Sequence, residues 1–367
     1  MRVLLYSMWF AEFVVSLGNA LRERHSVGMI LCKENTEGSL GSPLDEYLDR
    51  GVGYLILPHL RKRRPYETLR SVQKAVRFVR EFRPDVIHIQ DAFDPLSALL
   101  LPFFGRIPVV VEIHDPVAHQ GDFNQKRLRN RVPSFLLRKR SNALIAHGAF
   151  CRQMLIDRDH APPERVFSIP LGALPILRKW EDKLVPEEPH SILFFGRMRE
   201  YKGLRYLIEA APLISAEIPD LKIILAGDGP ELDNCMNRLV DPGRFELHRG
   251  FISNVEMVSL FRRASIVVLP YLEASQSAVL SIAFTFGKPV VATNVGGIPD
   301  IVTHGKEGYL VQPRNAAELA NAVVKLFKDD RSRKEFGRAA LEKAENLLGW
   351  SSIAGKVSDV YRQASHL

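Results

Sequence analysis

A strand–turn–helix–strand pattern between Ser265 and Asp300 restricts this chain to a small group of folds. An apolar run ends at Pro270, a small polar segment (EASQS) follows, and an apolar helical stretch then reaches Phe286. A second β-branched run, VVAT, is followed by two adjacent glycines. Buried strands that alternate with helices build parallel sheets, and ligands bind at the carboxyl ends of those strands. The stretch therefore predicts half of a ligand site in an α/β protein.

The same alternation of short apolar strands and amphipathic helices runs through the chain twice. It is interrupted by a segment rich in proline and charge and then starts again. With 367 residues, the chain is too long for one hydrophobic core and fits two domains. We predict a first α/β domain at 1–174, a linker at 175–190, a second α/β domain at 191–349 and a C-terminal helix at 350–367.

Two helix boundaries are specified by local sequence signals in the second half. Ser253 with Glu256 has the spacing of a capping box, which predicts the start of a helix that ends near Arg263. Gly287 directly follows the apolar helical stretch and predicts its end.

The net charge of +8 is concentrated in the first half of the chain. Much of it lies in the RKRR run at 61–64, in the segment 126–140 and in a predicted helix from Tyr66 to Phe82. That helix is expected to bury Leu69, Val72, Val76 and Val79 and to expose Arg70, Lys74, Arg77 and Arg80. Such a face is compatible with simple solvation, but its neighbours favour an anionic membrane surface as partner. Nucleic acid is not expected, because no nucleic-acid-binding module is visible.

Cysteine usage and hydropathy indicate a cytoplasmic protein. Cys32, Cys151 and Cys235 lie far apart and share no metal-binding spacing, so we expect reduced thiols. No apolar run approaches the roughly 20 residues of a membrane span, and the first strand is too short for a secretory signal. The expected location is the cytoplasm, with peripheral contact to the inner face of the membrane.

Cations and glycines follow the predicted strands of the second domain. Arg197 and Lys202 follow one strand in the pattern GRxxxxKG, and Gly227 and Gly229 follow the next. Charge-assisted hydrogen bonds contribute about 1.5–3 kcal/mol each, and glycine lets a backbone approach a phosphate or a base closely. Together with the polar turn of the opening stretch, these residues predict a diphosphate site.

The first domain offers aromatic and histidine candidates. Its first turn contains Trp9 and Phe10 but no glycine fingerprint, so a dinucleotide site is not expected there. The two aromatic residues form either core packing or an apolar lip for an acceptor. Among the histidines, His88 is predicted in the core, and His114, at a strand end, is assigned to the site. His119 and Asp122 are candidates on the following loop. Glu112 is predicted to face away from His114 and to have a structural role.

Five motifs in the second half, taken together, resemble one known family. They are GRMREYKG, AGDGPEL, HRGFI, LPYLEASQS and GKPVVATNVGGIPD, and in order and spacing they are similar to the retaining glycosyltransferases of family 4. The segments RPDVIHIQD and VVVEIHDPVAH in the first half are also similar to that family. The resemblance covers most of the chain and is strongest from about 190 to 312. It implies the GT-B fold, with two Rossmann-like domains facing across a cleft and a C-terminal helix that crosses back to the first domain.

The resemblance implies a role for each matching residue. Arg197 and Lys202 would hold the donor diphosphate and stabilise charge on the leaving group, and His114 would face the donor sugar. The other donor-binding residues would be Gly196, Gly227, Gly229, Phe251, Ile252, Glu273, Ser275, Gln276, Ser277 and Ala278. Trp9, Phe10 and His119 would contact the acceptor.

The implied reaction moves a sugar from a UDP- or GDP-sugar to a hydroxyl of a glycan or lipid-linked acceptor, with retained configuration. Its expected setting is the assembly of cell-surface polysaccharide or glycolipid. Neither a metal nor another cofactor is expected.

One departure from the family pattern matters for the donor site. The family places two glutamates eight positions apart, where this chain has Ala274 and Ile282; Glu273 is one position away from the first. Asp300 stands where glutamate is common. Either the backbone of residues 275–278 replaces the carboxylates, which we favour because Arg197, Lys202 and His114 are present, or the site is degenerate. The alternatives to a transferase are a non-catalytic nucleotide-sugar-binding protein and a nucleotide-sugar epimerase.

Overall fold

The computed structural model describes residues 1–41, 43–59, 65–90, 94–116 and 134–366. These residues form two compact units, each built around a parallel β-sheet with helices on its faces. The first unit contains the described residues of 1–116, 134–170 and 350–366, and the second contains residues 171–349. The predicted fold class, α/β with two Rossmann-like units, is confirmed.

The described residues contain thirteen strands, which divide between the two sheets. The first sheet has the order β3-β2-β1-β4-β5-β6-β7 and contains β1 (Arg2–Ser7), β2 (Ser26–Cys32), β3 (Gly53–Leu57), β4 (Val86–Gln90), β5 (Val109–Ile113), β6 (Ala143–Ala146) and β7 (Val166–Ser168). The second has the order β10-β9-β8-β11-β12-β13 and contains β8 (Ser191–Phe195), β9 (Lys222–Gly227), β10 (Phe245–Arg249), β11 (Ile266–Leu269), β12 (Val290–Thr293) and β13 (Gly308–Val311).

Helices connect successive strands and cover both sheets. In the first half they are α1 (Ala11–Arg22), α2 (Lys33–Leu40), α3 (Pro65–Phe82), α4 (Pro95–Leu100), the helical residues 134–140 (α5) and α6 (Ala149–Asp159). They continue with α7 (Leu204–Glu217), α8 (Pro230–Met236), α9 (Asn254–Arg263), α10 (Ala278–Thr285), α11 (Ala316–Lys328), α12 (Asp330–Glu345) and α13 (Trp350–Ala364). Among the described residues, no helix has the length and apolar character needed to span a membrane.

The central strands are buried on both faces, which explains their continuous apolar sequences. Every residue of β4, β5 and β6 is buried, including the polar residues His88, Gln90 and Glu112. Burying such groups is costly unless they are hydrogen-bonded. The sheet of the first unit therefore contains a polar cluster that must be satisfied internally.

The buried stripe predicted for α3 is wrong at Leu69, whose side chain is 55% exposed. The helix is rotated so that Ser71, Ala75 and Val79, which are four residues apart, face the sheet. Small side chains at the first two positions let the helix lie close to the strands. The four basic residues predicted on the outer face are exposed.

Helix α13 packs on the first unit although it follows the second in sequence. His25 Nε2 lies 2.8 Å from Ser358 Oγ, and the hydroxyl of Tyr361 lies 2.7 Å from His88 Nδ1. The rest of its inner face is apolar, with Ile353, Val357 and Val360 buried. The C-terminal helix thus completes the hydrophobic core of the unit that the chain forms first.

Residues 175–190, predicted as a linker, are part of the second unit. Their first portion forms a short helical turn, Pro175–Trp180. Glu187 accepts a hydrogen bond from Lys288 Nζ at 2.7 Å, and Glu188 pairs with Arg263. The charges that suggested a linker are therefore bound to residues far away in sequence, which local composition does not reveal.

Both predicted helix boundaries are found, one of them with a different side-chain arrangement. Gly287 ends α10 with a φ of +60°, as expected. Ser253 Oγ accepts a hydrogen bond from the Glu256 amide at 3.3 Å at the start of α9. The Glu256 carboxylate does not complete the capping box but lies 2.7 Å from His248 Nδ1 on β10.

The three cysteines are buried thiols. Burial raises the pKa of Cys32 and of Cys235 to about 11, so both remain protonated near neutral pH. Free thiols at all three positions agree with the expected reduced state.

Candidate active site

Backbone hydrogen bonds connect the loops that follow the strands of the second sheet. The Met198 amide donates to Asp228 O at 2.8 Å, which joins the loop after β8 to the loop after β9. The Gly250 amide donates to Gly227 O at 3.2 Å, and the Gly297 amide to Ala274 O at 3.1 Å. The Leu272 amide donates to Tyr201 O at 2.7 Å and joins the loop after β11 to the loop after β8. The loops after β8, β9, β10, β11 and β12 therefore form one continuous rim at the carboxyl edge of the sheet.

The glycines of this rim allow the loops to touch one another. A Cβ atom built on Gly227 would lie 2.0 Å from Gly196 O, and one on Gly229 would lie 2.3 Å from Met198 O. At Gly296 the nearest atom, Ala274 O, would be only 1.7 Å away. These glycines therefore allow close packing between the loops, which shapes the rim. Their predicted contact with a ligand stays a prediction.

Lys202 is held against the loop that follows β11. Its ammonium lies 3.8 Å from the centroid of the buried Tyr271 ring and 5.3 Å from that of Tyr201. The Tyr271 hydroxyl is 3.4 Å from Ser277 Oγ at the start of α10. Arg197 is exposed on the same loop as Lys202. The structure thus places Lys202 and Ser277 beside the same aromatic side chain, and their predicted role at a diphosphate stays a prediction.

The polar turn EASQS precedes the amino end of α10. Ser277 caps this helix, because its side chain accepts a hydrogen bond from the Leu280 amide at 3.3 Å. The first amides of a helix have no intrahelical acceptor and attract anions. Gln276 Oε1 is buried and has no hydrogen-bond partner among the described residues. Ala274 and Ile282 are each only 6% exposed, so neither offers a polar group where the family has glutamate.

The remaining donor candidates differ in exposure. Phe251 is 85% exposed after β10, and Ile252 is half-buried beside it. Glu273 and Ala278 are half-buried, and Ser275 is buried. An exposed aromatic ring at a strand end offers a flat apolar surface to a planar group.

The candidates of the first unit lie at the carboxyl edge of its own sheet. His114 directly follows β5 and is buried, with its ring stacked on Phe10 at a centroid separation of 4.3 Å. Phe10 has a φ of +59°, an uncommon conformation for a residue with a side chain, which is often found at functional sites. Trp9 is 43% exposed and contacts His59 edge-on.

The prediction that Glu112 faces away from His114 is wrong. Residues two apart on a strand share a face, so Glu112 and His114 project to the same side of β5. Glu112 Oε1 lies 3.2 Å from His147 Nε2 and 3.8 Å from His114 Nε2, while Oε2 lies 3.0 Å from His88 Nε2. His88, predicted in the core, is indeed fully buried but belongs to this cluster.

Burial and neighbouring charges shift the ionisation of two members of the cluster in the same direction. Burial would raise the pKa of Glu112, but hydrogen bonds from His147 and His88 hold it well below its ordinary value. Burial, with the nearby His147, lowers the pKa of His114 to about 4. At neutral pH the carboxylate is therefore charged and His114 is neutral.

The donor atoms of Glu112, His114 and His147 approach one another within 4.8 Å, which is close enough to surround a divalent cation. Hydrogen bonds also connect the cluster, because Gln90 Nε2 donates to Glu112 Oε2 at 3.3 Å and His147 Nε2 lies 3.2 Å from His114 Nδ1. The expectation that the protein needs no metal therefore stays a prediction.

Sequence reasoning missed His147 and Gln90. Both stand at the carboxyl end of a strand that neighbours β5: His147 follows β6, and Gln90 ends β4. Gln90 Nε2 donates to Glu112 Oε2 at 3.3 Å. A polar residue after each of three adjacent buried strands was the available signal. The predicted residues His119 and Asp122 lie outside the described residues.

The two Rossmann-like units, each with its candidate residues at the carboxyl edge of a parallel sheet, define a protein of the GT-B class. Anabaena HepE in complex with UDP-glucose superimposes with a TM-score of 0.72 at 20% identity, covering 98% of both chains. A sucrose-phosphate synthase of Thermosynechococcus elongatus gives 0.72 at 19% identity, covering 99% of this chain and 98% of that one. These similarities show the shared fold.

Sequence comparison identifies the family. Residues 11–173 match the model of Glycosyltransferase Family 4, and residues 189–329 match that of Glycosyl transferases group 1. A D-inositol 3-phosphate glycosyltransferase of Corynebacterium diphtheriae is 31% identical over 319 residues, 78% of this chain and 72% of that protein. A glycogen synthase of Mycobacterium tuberculosis is 27% identical over 302 residues, 78% of this chain and 70% of that protein. The chain belongs to this family of glycosyltransferases, as its motifs predicted.

Proposed function

We propose that this glycosyltransferase moves a sugar from a nucleoside diphosphate sugar to a hydroxyl, with retention of anomeric configuration. The observation that carries the proposal is the rim of the second unit, where Lys202 and the amino end of α10 are joined through Tyr271. A cation and a helix amino terminus are the two groups that proteins use most often to bind phosphate. UDP and UDP-glucose occupy HepE, which has the same fold, so uridine is our first choice of base.

In this proposal the rim works by electrostatic stabilisation of the leaving group. Arg197 and Lys202 would bind the diphosphate and stabilise the charge that develops when the bond to the sugar breaks. Phe251 and Ile252 would lie against the base, and residues 275–278 would contact phosphate and sugar through their backbone amides. The acceptor hydroxyl would lose its proton to the departing phosphate.

Ala274 and Ile282 replace the family glutamates. Binding of the donor would therefore depend on the backbone amides of residues 275–278. Gln276 Oε1 is buried and lacks a hydrogen-bond partner within the described part of the chain, which supports a donor-binding role for this turn, since a bound ligand can supply the partner. The alternative is a protein that binds nucleotide sugars without catalysis, and a measurement of turnover distinguishes the two. No feature of the described residues favours an epimerase.

The test measures release of nucleoside diphosphate with UDP-, GDP- and ADP-sugars and an acceptor extract. We expect turnover with one donor, reduced about 10²–10³-fold in Arg197→Ala and in Lys202→Ala. Arg331→Ala, which removes an exposed arginine of α12, serves as the matched control and should retain full turnover. Tight nucleotide binding without release from any donor would favour the non-catalytic alternative, and near-normal turnover in both rim variants would refute the diphosphate assignment.

We further propose that the first unit contacts an anionic membrane that presents a lipid-linked or growing glycan acceptor. An open groove of about 870 Å³ runs along α3. Its lining combines arginines with apolar side chains and includes Arg2, Leu69, Arg77, Arg80, Arg83 and Phe103. Arg2 begins β1 and Arg83 precedes β4, so the groove lies at the opposite edge of the sheet from His114. The groove would serve as a surface contact, separate from the residues that bind substrates. With such a contact, we propose a role in the assembly of cell-surface polysaccharide or glycolipid.

A further inference from the structure

We propose that Tyr271 is a positioning residue, whose buried ring holds the ammonium of Lys202 in place before a ligand binds and links it to Ser277 at the start of α10. The distance from Lys202 Nζ to the centroid of the Tyr271 ring is 3.8 Å, and the Tyr271 hydroxyl lies 3.4 Å from Ser277 Oγ. That Lys202 binds the diphosphate of a sugar donor rests on the proposed function. The position of its ammonium on the ring does not.

The chain on both sides of Lys202 is fixed to the loop that follows β11. Before the lysine, Tyr201 O accepts a hydrogen bond from the Leu272 amide at 2.7 Å. After it, Gly203 has a φ of +68°, and a Cβ atom built there would lie 1.9 Å from Pro270 O. Pro270 and Leu272 flank the tyrosine in sequence. The two backbone contacts therefore place the lysine opposite the tyrosine and leave little freedom to the base of the lysine side chain.

Tyr271 is itself fixed by the strands of the second sheet. Its side chain is only 1% exposed, and the residue closely follows the end of β11. Its carbonyl oxygen accepts a hydrogen bond at 2.6 Å from Oγ1 of Thr293, the last residue of β12. The ring is therefore a rigid surface that does not depend on a ligand for its position.

The contact between Lys202 and the ring is a cation–π interaction. The face of an aromatic ring attracts a cation within about 6 Å of its centroid, and the attraction increases when water is excluded. Lys202 is half-buried, and its ammonium is nearer to the ring of Tyr271 than to that of Tyr201, whose centroid is 5.3 Å away. Lysine has a flexible four-carbon stem, whereas a tyrosine side chain has two torsion angles. Contact with the buried ring therefore restricts the positions that the ammonium can take.

The hydroxyl end of the tyrosine faces the start of α10. Ser277 Oγ, which lies near the Tyr271 hydroxyl, accepts a hydrogen bond from the Leu280 amide at 3.3 Å and so caps the helix. Burial raises the pKa of Tyr271 above its ordinary value, so the hydroxyl stays protonated at neutral pH. One rigid side chain thus relates the position of the cation to that of the helix terminus, the two groups to which the proposed function assigns the diphosphate.

This arrangement has an expected effect on the reaction. A cation that is held in place beforehand stabilises charge on a leaving group without the cost of reorganisation, so its benefit is greatest in the transition state. When the ring is removed, Lys202 keeps its charge but loses its fixed position. The loss should therefore lower kcat more than it raises KM.

The first experiment locates the lysine by NMR of the full-length protein, free of ligand and labelled with ¹³C-lysine. Protons above the face of an aromatic ring are shifted upfield, and Lys202→Arg assigns the signal. We expect an upfield-shifted ε-methylene signal in the wild type and in Tyr271→Phe, and loss of this shift in Tyr271→Leu. An unshifted signal in the wild type, or a shift that Tyr271→Leu retains, would overturn the proposal. Because the measurement needs no turnover, its outcome is separate from that of the proposed function.

The second experiment changes the charge of the ring face while keeping its shape. Phenylalanine with no fluorine, two or three ring fluorines is placed at position 271, with the midpoint of thermal unfolding as a check on folding. Calorimetry measures affinity for whichever of UDP, GDP and ADP binds the wild type most tightly. We expect affinity to fall stepwise with fluorination, by about threefold to tenfold at three fluorines, in parallel with kcat. The matching nucleoside, which has no phosphate, should bind all forms equally.

The matched control makes the same replacements at Tyr309, whose buried ring has the ammonium of Lys325 at 4.6 Å from its centroid. Tyr309 lies in the amino half of β13, away from the rim, so fluorination there should change neither affinity nor kcat. Equal affinity and kcat throughout the series at position 271 would refute the positioning role, even if the wild type turns over donor as proposed. A shifted Lys202 signal without binding of any of the three nucleotides would contradict the proposed function and support the position of the cation on the ring.

Discussion

A methyl group at position 296 would collide with the backbone of the loop that contains the predicted donor residues. Gly296 has a φ of +54°, and its added Cβ would lie 1.7 Å from Ala274 O. The side chain missing from this position is therefore as important for the rim as the side chains that are present.

We predict that Gly296→Ala destabilises the protein by about 2 kcal/mol or more, since left-handed strain and a backbone clash add. Gly305→Ala is the matched control, because Gly305 has a φ of +78° but open space around its Cβ position. Chemical unfolding should show a clearly smaller loss of free energy for the control. Equal losses would mean that the clash is relieved without disturbing residues 274–277.

Single residues also show the limits of sequence reasoning at the site. Arg197, Lys202 and His114 could be selected because each follows a predicted strand in a recognisable motif. Glu112 was misassigned because the alternation of faces was applied across two positions instead of one. The contact between His147 and Glu112 could not be predicted without knowing that β5 and β6 are neighbours in the sheet. The two residues are far apart in sequence, because the whole segment between β5 and β6 separates them.

At the scale of elements, β10 and α9 are joined by a histidine between two carboxylates. His248 Nε2 lies 2.6 Å from Glu246 Oε1, and Nδ1 lies 2.7 Å from Glu256 Oε1. Burial would lower the pKa of His248, but hydrogen bonds to both carboxylates raise it above its ordinary value. The doubly protonated ring is therefore part of the contact between the strand and the helix.

This contact should make stability depend on pH. A raised pKa in the folded state stabilises the protein fully below about pH 6.5, and the stabilisation is lost as pH rises through the folded-state pKa. We expect His248→Gln to lower the free energy of unfolding by about 1 kcal/mol at pH 6 and by less at pH 9. Unfolding in urea at both pH values measures this. In a protein that already carries Glu256→Gln, the effect of His248→Gln on the free energy of unfolding should depend less on pH. If the effect of His248→Gln in the wild-type background were the same at both pH values, the assignment would be contradicted.

The sequence predicted the α/β alternation of both units, because buried parallel strands and amphipathic helices leave clear patterns. It did not predict β3, α2, α4 or α6. The sequence was a poorer guide to which face of a helix packs on the sheet and which partners its side chains contact. In α3, small residues at 71 and 75 face the sheet and Leu69 does not, since close packing on the strands outweighed hydrophobicity. In α9, the Glu256 side chain bonds to β10 instead of to its own helix.

At the scale of the whole molecule, part of the excess positive charge of the first half lies together on one exposed helix face. The outer face of α3 exposes Arg70, Lys74, Arg77 and Arg80, and Leu69 and Phe103 lie exposed beside the arginines of the groove. Cations that flank exposed apolar side chains are typical of contact with an anionic lipid surface. The sequence predicted the charge asymmetry but not the exposure of Leu69, which adds the apolar part of the contact.

We predict that the protein sediments with anionic vesicles at low salt and is released as salt rises. Arg80→Glu combined with Arg83→Glu should weaken binding at least about tenfold, because each basic residue near the surface contributes about 1 kcal/mol. Lys334→Glu with Arg338→Glu makes the same change in charge on α12 of the second unit and should leave binding unchanged. Equal binding to neutral vesicles would refute the membrane contact.

The return of α13 to the first unit has a consequence for synthesis on the ribosome. The second unit is contiguous, from 171 to 349, so all its strands are available before α13 is made. The first unit has its sheet early but lacks the helix that covers His25 and His88 until residue 364 has been added. We therefore expect the first unit to complete its core only after α13 has left the ribosome, so that apolar surface of this unit stays uncovered longest during synthesis.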